Sequence, residues 1–192
     1  MSDPIDQLQR TVTITGNVIA NVKPDQLDDA TTCTEWTVRD LLNHMVGTAL
    51  MFGAAAAGEK ATINPFGQPD DVIGDDPRAA YDDAGARMVK AWRERGLDGG
   101  VTLVRGEMPA AGACTIAICD QLAHGWDLAQ ATGQPFDADD DLVDFAWDFT
   151  HANMGPEGRG EGKPFQQPVE IADSSPKLDR LMAFMGRRPL AR

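Results

Sequence analysis

Between Ala111 and Thr132 the chain carries no charge until Asp120, and Gly133 ends the run. A helix apolar on nearly every side has to be covered on nearly every side, so this segment demands several partners. The chain supplies them as further helices. Asp3 and Pro4 open a first one that Lys23-Pro24 stops near residue 22. A second starts at Thr37, where Thr37 to Asp40 resembles a capping box with Asp in place of Glu. Val38, Leu41, Leu42, Met45, Ala49 and Phe52 form its apolar stripe, and Gly58 closes it. Asp76-Pro77 opens a third that runs to about Arg95, with Ala80, Ala84, Met88 and Trp92 along one side. A further helix is expected over about 138–153, and a short one in the tail with Ser175 as cap, Pro176 at its start and Gly186 at its end. Val101 to Val104 reads either as a short strand or as an extended connection. Helices joined by modest loops, without an internal repeat, imply a helical bundle. Two longer loops, 59–75 and 155–168, are rich in Gly and are positioned to shape an entrance.

The 192 residues suit one domain of ordinary size or one with a small appendage. No stretch reaches the length of a transmembrane span, and the N-terminus lacks the apolar core of a secretory signal, so a cytoplasmic location is expected. Thirty acids against 17 bases give a net charge of −13. That balance argues against nucleic acid and against an anionic membrane surface as partners. The three cysteines, Cys33, Cys114 and Cys119, match no zinc-ribbon or CxxC spacing and read as buried, inert thiols. No dinucleotide, P-loop or GxSxG motif is present, and no spacing pairs a cysteine with a base.

Two of the three histidines lie inside apolar helices, and they carry the chemistry. Asp120 and His124 are four residues apart, hence neighbours on one helical face. An oxygen and an imidazole nitrogen one turn apart suit zinc, nickel, iron or manganese. An unpartnered carboxylate in such a helix is costly, so Asp120 has to be paired, solvated or bound to a metal. Asp127 lies three residues beyond His124 and can hold its ring. The plain alternative is a buried Asp–His hydrogen bond with no metal. His44, at the edge of the second helix's stripe, reads alone as a satisfied core residue. Together with Asp120 and His124 it completes a minimal open site of three protein ligands. His151 reads as a helix-end surface residue, Trp126 as a packing residue and Trp36 as a hydrophobic staple.

The segment TCTEWTVRDLLNHMVG (32–47) resembles the N-terminal signature of the mycothiol-dependent maleylpyruvate isomerase-like proteins, within the DinB-like superfamily. DQLAHGWDLA (120–129) resembles the second metal-binding helix of that family, and LDRLMAFMGRRP (178–189) the C-terminal signature of an uncharacterised actinobacterial branch. The resemblance implies an all-α, DinB-like up-down four-helix bundle with a short C-terminal extension. Residues 1–154 are expected to form the metal-binding bundle, and 155–192 a loop and short helix packed on it. It also implies a divalent metal, zinc first and nickel second, on His44, Asp120 and His124. In the isomerase the first of the paired ligands is glutamate, and in many DinB-like proteins histidine; Asp120 is one methylene shorter than glutamate. The chain is expected to lack the full separate C-terminal domain of the isomerase, so the resemblance carries a metal and a mycothiol connection but no substrate. The functional expectation is a metal-binding protein that uses a low-molecular-weight thiol as a transferase or isomerase of a small electrophile, as monomer or homodimer. The alternatives are a non-catalytic metal- or ligand-binding bundle and a purely structural one.

Overall fold

The computed structural model describes residues 3–33, 35–104, 106–160 and 165–188. The fold is mostly helical: α1 Pro4–Ile19, α2 Val38–Ala57, α3 Pro77–Arg95, α4 Ala110–Thr132, α5 Asp140–Asn153 and α6 Lys177–Phe184. Among the described residues one small sheet is present, in which β1 Gly100–Leu103 pairs antiparallel with β2 Gly106–Pro109. Of the two readings of the segment at Val101, the strand is the one adopted, and its partner β2 is an element the sequence reading lacked. The chain divides into two compact units, Met1–Phe136 and Asp137–Arg192.

The helix boundaries follow local chemistry. Asp3 accepts from the Ile5 amide at 2.9 Å, ahead of Pro4. Thr37 and Asp40 make a reciprocal capping box, with Asp40 N to Thr37 Oγ1 at 3.3 Å and Thr37 N to Asp40 Oδ2 at 3.0 Å. Asp76 accepts from Ala79 at 3.0 Å and opens α3. Gly133 ends α4 at φ 68°, a left-handed conformation that residues with a side chain rarely adopt. In the tail the cap differs from expectation. Pro176 occupies the N-cap position of α6 with no side-chain bond, while the Ser175 amide is used in a turn onto Ala172 O.

In the first unit α1 packs against α3 and α4, and α2 packs against the same two helices. The four therefore form a bundle in which α1 lies across from α2. β1 lies against α2 and α4. The core is built from Leu8, Leu41, Leu42, Met45, Tyr81, Met88, Trp92, Ile118, Leu122, Trp126 and Leu128, all essentially without exposure. As its composition requires, α4 is covered along most of its length, and α2 is buried at least as completely.

In the second unit α5 packs against α6. His151 stacks between Trp147 at 4.0 Å and Phe184 at 3.6 Å, and the Arg159 guanidinium lies 4.5 Å from the Phe184 ring centre. This histidine is an exposed helix-end residue engaged in ring stacking. In the loop 155–168, residues 161–164 lie outside the described residues, as does Pro189 of the C-terminal signature.

The α1–α4 seam depends on a missing side chain. A Cβ on Gly125 would fall 2.6 Å from Thr15 Oγ1 and 2.7 Å from the Phe136 ring. Gly125→Ala gains up to about 1 kcal/mol in helix propensity. The overpacking costs about 1–3 kcal/mol, so a net loss of stability is expected. Urea denaturation measures it; a midpoint that rises would show that the seam yields freely.

Candidate metal centre

Three side chains from two helices of the first unit meet at one point. His44 projects from α2, and Asp120 and His124 project from consecutive turns of α4. Asp120 Oδ1 lies 3.4 Å from His44 Nε2 and 3.7 Å from His124 Nε2. The three ligand atoms lie within 4.8 Å of one another. Both imidazoles are buried, and the Asp120 side chain is 19% exposed, so the point has an opening.

The far side of each ring decides what the near side offers. His44 Nδ1 lies 2.6 Å from the carbonyl oxygen of Pro65, which can only accept, so Nδ1 carries the hydrogen. His124 Nδ1 lies 2.9 Å from Asp127 Oδ2, another acceptor. In both rings the Nε2 lone pair is thereby turned towards Asp120. Asp127 is itself fully buried and takes a second bond from the Thr32 hydroxyl. This is the support that metal-binding histidines ordinarily have, one from backbone and one from a carboxylate.

Asp120 is oriented as firmly. Its Oδ2 accepts from Thr48 Oγ1 at 2.8 Å and faces Gln121 Nε2 at 3.5 Å. Gln121 Nε2 donates to Thr48 Oγ1 and Met45 O, and its Oε1 accepts from Tyr81 OH at 2.8 Å. With Oδ2 occupied, Oδ1 is left to the histidines. Burial works against the Asp120 charge, but His44, His124 and the Thr48 hydroxyl outweigh it and hold the carboxyl down at about 2. Burial and the neighbouring His44 lower His124, against the upward pull of Asp127 and Asp120.

These residues fit a metal. Ligands held tetrahedrally at about 2.0–2.1 Å stand about 3.3 Å apart, close to the two separations at Asp120 Oδ1.

Sequence reasoning named His44, Asp120, His124 and Asp127, and all four meet here. It missed Thr48, one turn beyond His44, although that spacing was available to it. It read Trp36 only as a staple; the ring lies 4.5 Å from that of His44 and 5.9 Å from that of His124, and its Nε1 donates to Gly67 O at 2.8 Å. The loop 59–75 is tied down by Pro65, Gly67 and the bonds of Val72 and Ile73 to the Asn43 side chain. Cys33 requires a correction. The fold brings its Sγ within 3.5 Å of Asp127 Oδ2 and 3.9 Å of His124 Nδ1, a proximity that linear spacing does not reveal. Cys114 and Cys119 match the inert reading, with burial pushing both thiols up to about 12.

The fold is thus a helical bundle in which His44 of α2 faces Asp120 and His124, one turn apart on α4. The family model of the mycothiol maleylpyruvate isomerase N-terminal domain matches residues 9–129, and the chain belongs to that family. An uncharacterised protein of Mycobacterium tuberculosis is 36% identical over 186 residues, 96% of this chain and 98% of its own length, in strain H37Rv and again in strain CDC 1551 / Oshkosh. The crystal structure of the mycothiol-dependent maleylpyruvate isomerase superimposes with a TM-score of 0.61 at 16% identity, over 84% of this chain and 72% of that one. A histidine-to-alanine mutant of the isomerase gives 0.62 at 15% over the same shares. These two likenesses concern the fold.

The lowered affinity of His124 for a proton has a consequence for stability. Because its folded value lies below the ordinary 6.5, the unfolded chain takes up the proton first as the pH falls. Metal-free protein should therefore lose stability as the pH drops below about 6.5, while Asp120 stays charged throughout that range. Thermal melting from about pH 7.5 to about pH 5.5 should show a falling midpoint that His124→Gln flattens. Parallel curves for the two proteins would assign the effect elsewhere.

Proposed function

We propose that the chain is a divalent-metal-binding protein, with zinc as the first choice and nickel as the second, and that it uses a low-molecular-weight thiol of the mycothiol type to transform a small electrophile by transfer or isomerisation. The supporting observation is the orientation of the two imidazoles: each commits Nδ1 to an outward acceptor and turns the Nε2 lone pair towards one oxygen of Asp120. Two lone pairs and a carboxylate oxygen call for a cation among them.

When bound, the metal would lower the pKa of a thiol or water placed on it. The chain's own residues supply the rest. His44, Asp120 and His124 would hold the metal, and three protein ligands would leave room on it for a small molecule. Thr48 and Gln121 keep Asp120 Oδ2 engaged so that Oδ1 faces inward. The Trp36 ring packs beside the two imidazoles, 4.5 Å from that of His44 and 5.9 Å from that of His124. The family's mycothiol connection supports the thiol, and the small opening at Asp120 suits a small molecule over a polymer.

A second reading is a metal-free site in which one imidazole is protonated and pairs with Asp120. The low titration of that carboxyl, drawn down by the histidines, favours it equally.

Elemental analysis of untagged protein, purified without chelator, separates the two. About one equivalent of zinc or nickel per chain is expected, lost in His124→Ala and held more weakly in His44→Ala. No metal, and none taken up on reconstitution, would leave the protonated pair. With metal in hand, turnover of a thiol plus an electrophile that both variants abolish would establish an enzyme, whereas binding without turnover would establish a carrier. Asp127→Asn, which acts through His124, should weaken metal affinity about 10–100-fold while His44 and Asp120 remain in place.

A further inference from the structure

We propose that Cys33, His124 and Asp127 form an alternative site for a soft, thiophilic divalent cation, and that this site competes with His44 and Asp120 for the single imidazole of His124. Cys33 Sγ stands 3.5 Å from Asp127 Oδ2 and 3.9 Å from His124 Nδ1, and those two atoms are 2.9 Å apart. One sulfur, one nitrogen and one oxygen thus lie within 4.8 Å of one another. Sulfur at about 2.3 Å and nitrogen at about 2.0 Å from one ion stand about 3.5 Å apart, so the thiol needs to move by only a few tenths of an ångström. Cys33 is half-buried and accessible to an incoming ion, unlike Cys114 and Cys119.

The competition follows from imidazole chemistry. A neutral ring offers one lone pair. With its hydrogen on Nδ1, bonded to Asp127, His124 presents Nε2 to the pole formed by His44 and Asp120. A cation at Nδ1 requires that hydrogen to move to Nε2, where Asp120 Oδ1 faces it from 3.7 Å. The thiol releases its proton to solvent and binds as thiolate, so one proton leaves for each cation bound. Thiolate selects soft ions such as cadmium or surplus zinc, whereas the imidazole–carboxylate pole accepts a broader range. An ion at Cys33 would thus draw His124 away from the site proposed above. The inference shares His124 with that reading but depends on neither His44 nor Asp120.

Cobalt(II) reports the difference, because only a thiolate ligand gives a near-ultraviolet charge-transfer band. Metal-stripped, reduced His44→Ala should bind cobalt with that band, and the double variant with Cys33→Ser should lose it. Asp120→Asn serves in place of His44→Ala should the latter not fold. Cobalt bound without the band, a band that survives Cys33→Ser, or no cobalt in His44→Ala when wild type binds it would each overturn the alternative site and leave the first reading standing. No cobalt in any of these proteins would overturn both. In cobalt-loaded wild type, cadmium should displace the visible cobalt spectrum at a lower concentration than in Cys33→Ser; equal concentrations would overturn the competition.

Discussion

A carboxylate set into a deeply covered helix of a bundle has to be compensated, and much of the polar interior can be read as the response to Asp120. Removing a charge from water is costly unless it is paired and hydrogen-bonded. Around Asp120 the compensation comes from three helices. His44 and Thr48 come from α2, His124 and Gln121 from α4, and Tyr81 of α3 supports Gln121 from behind. The Tyr81 hydroxyl is buried and pushed above its ordinary titration range, which keeps it a hydrogen donor. The packing of α2 on α4, with Tyr81 of α3 bonded to Gln121 of α4, thus carries a polar thread as well as an apolar seam.

Much of this was legible in the sequence. The uncharged run ahead of Asp120 required a bundle, and Asp-Pro pairs, Thr37 and glycines placed the helix ends. The i, i+4 spacing of Asp120 and His124, with His44 on another apolar helix, brought out the three candidate ligands. What stayed hidden depends on separation in the chain. The acceptor of His44 is a backbone carbonyl in a loop 21 residues away, and any residue there has a carbonyl. Cys33 reaches Asp127 across 94 residues. The β2 strand lacked an apolar alternation, because its residues are mostly exposed. The position of α1 across the bundle from α2 likewise arises from packing and not from any local pattern.

The tail shows the same limit in miniature. Ser175 had the chemistry of a cap, yet Pro176 takes the cap position and Ser175 is used in the preceding turn. Local preference proposes a boundary, and the path of the chain decides by a residue or two.

The two imidazoles are held by different kinds of partner, and that bears on how such a site can change over generations. His44 leans on main chain, so no single substitution at position 65 deletes its acceptor. His124 leans on the Asp127 side chain, which one codon change can neutralise, lengthen or remove. One half of the centre is therefore buffered against mutation and the other half is open to it. Diversification of chemistry within this scaffold should accumulate around Asp127, Thr32 and Cys33, while the half anchored on the loop at Pro65 stays the same.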